Sequence, residues 1–194
     1  MILPIVAYGS PVLKKQAEPV DIRADWLEDF VNDMFETMYK ASGVGLAAPQ
    51  VDKSVRIFVI DPKPFAEWKE LSDQERLQLE NAKMVFINAR MINEEGEPEN
   101  FEEGCLSIPG IHEKVKRPSK ITLEYYDLNG NLHKRTFDGI IARVIQHEYD
   151  HIEGILFTDR LSPIKKRMLQ RKLDKISRGE VQVNYKMKFP KRKR

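Results

Sequence analysis

The chain has 194 residues, with 32 basic and 30 acidic side chains, a formal charge of +2, 41% hydrophobic residues and one cysteine. That length and apolar share fit one domain with a real core and exclude a wholly disordered chain. A lone cysteine excludes an internal disulfide and zinc fingers built on cysteine pairs, and it points to a reducing compartment.

Met1 to Val6 is apolar but has no basic flank and is broken by Pro4, so it does not read as a secretory signal. Leu27, Phe30, Val31, Met34, Phe35 and Met38 recur at helical spacing and predict a helix over Asp25–Lys40, ended by Gly43. A run of small residues follows, from Gly43 to Gln50, with neither helical nor strand period. Arg56–Asp61 reads as a buried strand stopped by Pro62, far too short to span a membrane. The polar stretch from Pro62 to Lys83 carries a helix start at Ser72-Asp73-Gln74-Glu75, which predicts a short surface helix near Leu71–Leu79. Met84–Arg90 is a further strand, and the six glutamates from Glu94 to Glu103 predict an exposed acidic loop. Lys120–Asp127 and Leu132–Asp138 are expected to pair across an Asn129-Gly130 turn. Two helices close the pattern, Gly139–Ile152 stopped by Gly154 and Pro163–Ser177 stopped by Gly179. These elements predict an α+β fold, with antiparallel or mixed strands around a central helix and an additional C-terminal helix.

That central helix carries His147-Glu148-Tyr149-Asp150-His151. Histidines four apart share one helix face and can hold one metal ion, while Glu148 stands beside them to take a proton from water. A catalytic metal needs a third protein ligand and an open position. Cys105, in Glu103-Gly104-Cys105-Leu106-Ser107, is the best candidate, although a single cysteine is by default a small buried hydrophobe. Glu153 follows His151 too closely to share its face. Asp150 either orients a histidine or is a solvated helix residue. His112, His133, Trp26 and Trp68 carry no comparable signal.

Three segments, Gly43-Val44-Gly45-Leu46-Ala47-Ala48-Pro49-Gln50, Glu103-Gly104-Cys105-Leu106-Ser107 and Gln146-His147-Glu148-Tyr149-Asp150-His151, stand in order. Together they resemble the signature motifs of the peptide deformylases, over about Ile5 to Ser162. The basic helix beyond is similar to the C-terminal helix of the Gram-negative type. The resemblance implies Cys105, His147 and His151 as metal ligands and Glu148 as general base and acid. It implies Gln50 and the Leu106 N–H as oxyanion donors, and Val44 and Gly45 on the peptide-binding strand. Ile140 and Val144 would line a methionine pocket. The implied reaction is removal of formyl from N-formylmethionyl nascent peptides in the cytoplasm. Ligand type alone suits zinc, whereas the resemblance implies ferrous iron (Fe2+), with Zn2+, Ni2+ or Co2+ able to enter. A metallo-endopeptidase would explain the histidines and Glu148 but leaves Gly45, Gln50 and Cys105 without roles. A ribosome- or RNA-associated protein with a structural metal would explain only the basic end.

That end is distinct. Residues 165–194 hold 13 Lys/Arg against two Asp/Glu, and residues 1–164 hold 19 against 28. The sequence thus divides into a catalytic domain, 1–164, and a basic helix and tail, 165–194, which can contact the ribosome through its phosphates.

Overall fold

The structure is a computed structural model and describes residues 1–191. The last three basic residues of the tail, 192–194, lie outside the described residues. In chain order the elements are Ile5–Val6 (β1), Leu27–Lys40 (α1), Gly45–Ala47 (β2), Ile57–Ile60 (β3), Asp73–Glu80 (α2), Met84–Glu95 (β4) and Glu99–Cys105 (β5). They continue with Ile108–Arg117 (β6), Lys120–Tyr126 (β7), Leu132–Asp138 (β8), Gly139–Ile152 (α3), Pro163–Ser177 (α4) and Met187–Lys188 (β9), with short 3-10 turns between.

Five strands form an antiparallel sheet in the order β2–β3–β4–β7–β8, which leaves β2 at an edge. β3 shows why this sheet is buried on both faces. Its side chains alternate, so Phe58 and Ile60 join Phe86, Ile121, Val144 and Ile145 beside α3. Ile57 and Val59 instead join Leu27, Val31, Met34 and Met38 beneath α1. A strand covered on both sides reads as a continuous apolar run, as Ile57-Phe58-Val59-Ile60 does. The predicted short helix is α2, and its start is a capping box. Ser72 Oγ accepts from the Glu75 N–H, and the Glu75 carboxylate accepts from the Ser72 N–H at 2.8 Å.

The expected acidic loop is instead part of two strands. β4 runs on to Glu95, and β5 pairs with β6 in a hairpin that sequence patterning missed. The reason is cross-strand charge: Glu99 faces Arg117, Asn100 faces Lys116 and Glu102 faces Lys114, so glutamates that look solvated have opposite charges across the ladder. Glu103, the last of the six, faces Glu113 in the ladder and is buried.

α3 lies between the five-stranded sheet and this hairpin. Ala142, Val144, Ile145 and Ile152 face the sheet, while Arg143, His147 and Asp150 meet Glu103, Val115 or Arg117 of the hairpin. α4 packs Leu169, Leu173 and Ile176 against Val6, Leu13, Ile108 and Ile111. The change of charge at residue 165 is therefore not matched by a gap in packing. Beyond α4 the chain turns back, and β9 pairs in parallel with β1, joining the two ends of the chain.

Candidate metal centre and active site

His147 and His151 project from the buried side of α3, one turn apart, with ring centroids 5.1 Å from each other. Cys105 ends β5, where it pairs with Ile108 across the two-residue turn Leu106-Ser107. Its Sγ lies 3.3 Å from His151 Nε2, and one ligand atom each from Cys105, His147 and His151 fall within 4.8 Å of one another. One thiolate and two imidazoles so close fit a single divalent ion with an open fourth position. Burial, and then the neighbouring His147 charge, push His151 well below the ordinary histidine range, so it offers a neutral ring.

The groups that hold this triad are buried ions. Glu103 accepts from His147 Nδ1 at 2.8 Å, which turns the other ring nitrogen toward Cys105. It also accepts a two-pronged pair from Arg117, at 2.7 and 2.9 Å, and a third bond from Arg143. Burial alone would raise the Glu103 carboxyl, but the bonds from Arg117 and His147 outweigh it and hold the carboxyl well below the usual range. Asp150, expected either to orient a histidine or to be solvated, does neither. It is buried and accepts from Arg117 and, with both oxygens, from Arg160. Orientation falls to Glu103 because the hairpin faces the histidine side of α3.

Glu148 is enclosed at the bottom of the cleft. Its Oε1 lies so close to Gly45 that a Cβ there would stand 2.4 Å away, so the glycine is required by approach. Its Oε2 is buried with no hydrogen-bond partner among the described residues. Burial is the main cause that raises its pKa to about 7, with His147 pulling down and Glu103 pushing up. Gln50 is oriented by the backbone three residues before it: its side-chain Oε1 accepts from the Ala47 N–H at 2.9 Å. The amide therefore faces Cys105 Sγ, at 3.4 Å, and Ser107 Oγ, at 3.3 Å.

These groups open into a cleft of about 680 Å³. Val44, Gly45, Gln50, Cys105, Leu106, Val144, His147 and Glu148 all line it. Ile140 does not. One turn earlier on α3, it is half-buried against the central hydrophobic cluster that also holds Val144. Three contributions to the cleft were missed in the sequence. Arg143 lines it with the guanidinium tied to Glu103, to the Val115 carbonyl and to the Glu99 carbonyl. Phe65, from the polar stretch 62–83, meets Phe101 and Trp68 at the rim. Residues Gln182 to Tyr185, from the C-terminal segment, form a wall. Local spacing signals none of these; for Glu103 the one signal is its place two residues before Cys105.

The sequence model of the polypeptide deformylase family matches residues 2–167. The chain belongs to this family. The peptide deformylase of Christiangramia forsetii is 56% identical over 194 residues, covering all of this chain and 99% of that protein. The peptide deformylase of Flavobacterium psychrophilum is 50% identical over the full length of both. A crystal structure of a peptide deformylase from Legionella pneumophila superposes with a TM-score of 0.78 at 39% identity, covering 93% of this chain and 98% of that one. The chain is therefore a metal-dependent deformylase that removes N-formyl groups from nascent peptides, and its α+β fold is that of its structural neighbours.

Proposed function

We propose that Cys105, His147 and His151 hold ferrous iron, that Glu148 moves the proton, and that Gln50 and the Leu106 N–H stabilise the oxyanion. The observation that carries this assignment is the thiolate and two imidazoles grouped beside one buried carboxylate, Glu148, with an unpaired oxygen. When bound, the ion supplies Lewis acidity, which makes water a nucleophile near neutral pH and polarises the formyl carbonyl. Glu148 accepts the proton from the attacking water and returns it to the amine as the C–N bond breaks, giving formate and a free amino terminus. Its enclosure keeps it near neutrality, where both roles are open to it. The Gln50 amide, locked by the Ala47 N–H, and the Leu106 N–H of the turn beside Cys105 are donors fixed before reaction.

The peptide backbone pairs along the free edge of β2 at Val44 and Gly45, as extended ligands do at sheet edges. The methionine side chain packs against Val144, with Ile140 behind it in the shared core cluster. Iron rather than zinc, nickel or cobalt rests on family resemblance, since the donor set accepts any of them. A cytoplasmic setting is supported by nascent peptides as the substrate. The exposed basic face of α4 is the contact offered to the ribosome.

The test is formate release from a formyl-methionyl tripeptide by anaerobically iron-loaded protein. Glu148→Gln is expected to lower kcat by about 10²- to 10⁴-fold while the ion is retained. Activity near the parent level would remove Glu148 from the mechanism.

A further inference from the structure

The turn Leu106-Ser107 joins the ligand Cys105 to β6, and both of its carbonyls are held by the two ends of the chain. The Ser107 carbonyl accepts from the Tyr8 N–H at 2.8 Å, and the Leu106 carbonyl accepts from the Tyr185 hydroxyl at 2.7 Å. Tyr8 follows β1 and Tyr185 precedes β9, and these two strands pair with each other in parallel. The pair is reinforced by bonds from the Ile5 N–H to the Lys186 carbonyl and from the Ala7 N–H to the Lys188 carbonyl, both 2.9 Å. On its other side, the Leu106 side chain lies against Gly43, where a Cβ would stand 2.8 Å from Leu106 Cδ1. The turn is thus held at three points, Leu106 by Tyr185 and Gly43 and Ser107 by Tyr8.

We propose that Tyr185 is a positioning residue for deformylation, acting through Leu106 to fix the N–H that meets the oxyanion. The proposal rests on the assignment of Leu106 above. Tyr185 lies in the C-terminal segment, outside residues 2–167, the part of the chain matched by the family model. A turn of two residues carries few restraints of its own, and a donor misplaced by a fraction of an ångström loses strength in the transition state rather than in substrate binding. The phenol is the group that ties Leu106 to the paired chain ends.

The experiment measures kcat and KM for a formyl-methionyl tripeptide with the full-length, iron-loaded protein and Tyr185→Phe. The Phe variant keeps the ring packed against the cluster around Leu46 and Ile57 and removes one hydroxyl. Expected is a fall in kcat of about tenfold, a fraction of the 10²–10³ lost with a direct oxyanion donor, and a KM within about twofold of the parent. Metal content and melting temperature stay at parent values. A second variant, truncated after Glu180, removes the segment outright and is scored per folded, metal-loaded molecule. It loses at least as much in kcat. A purely structural segment would lower the melting temperature and leave kcat unchanged, and parent-level kcat in Tyr185→Phe overturns the proposal. If the parent protein itself released no formate, the assigned function would fail instead, and the two outcomes are separate.

Discussion

The chemistry of the site turns on how single side chains are enclosed. Gly45 sits in the small-residue run that the sequence singled out, and the reason is the Glu148 carboxylate lying against it. Gly45→Ala places a methyl 2.4 Å from Glu148 Oε1, so that carboxylate must move. With Glu148 as the proposed proton carrier, a drop in kcat of about tenfold or more is expected, with metal content unchanged. Steady-state formate release and metal analysis check this, and an undiminished kcat would show that Glu148 tolerates displacement. The histidine pair was legible because helical spacing dictates a shared face. Glu103 was not, because nothing local separates it from five neighbouring glutamates. Its burial depends on Arg117, 14 residues on, and Arg143, 40 residues on.

Among the elements, α3 was read with the bounds it has, since its apolar period is strong, but its second buried side was hidden. That side is polar and is covered only because the β5–β6 hairpin supplies ions of matching sign. Arg117 joins Glu103 of the hairpin to Asp150 of α3, and all three are buried. Replacing it with methionine leaves two buried carboxylates undercompensated and is expected to cost about 3–5 kcal/mol in denaturant unfolding. Arg117 is the strongest bonded cause of the depressed Glu103 pKa, and a depressed carboxylate stabilises the fold above its unfolded pKa. That stability is lost as the pH falls from the ordinary carboxylate range toward the folded value. Arg117→Met should therefore flatten the acid limb of a stability–pH curve, and an unchanged slope would show that Arg117 does not hold the carboxylate down. The hairpin itself escaped the sequence because its alternation is of charge with charge, and Gly110, at φ +77°, interrupts the period of β6.

At the scale of the molecule, the near-neutral total conceals an acidic body and a basic end. α4 buries Leu169, Leu173 and Ile176 and leaves Lys166, Arg167, Arg171 and Lys172 exposed. Reversing these four to glutamate spares the packed face. It is expected to abolish co-sedimentation with ribosomes, and parent binding in turn to weaken steeply with salt. Co-sedimentation unaffected by the reversal would place the contact elsewhere. The sequence showed this division of charge plainly. It did not show that the segment after α4 returns to the cleft, because a two-residue parallel pairing between opposite chain ends leaves no local pattern.

The pairing of β1 with β9 also sets an order of assembly. Translation delivers residue 5 long before residue 187, so the first strand waits through 182 further residues before it finds its partner. The clamp on the Leu106-Ser107 turn therefore closes only once β9 has emerged, long after the turn itself. A molecule that works on the first residue of chains still being made thus depends, for the turn beside its own cleft, on one of the later segments of its own chain to be made.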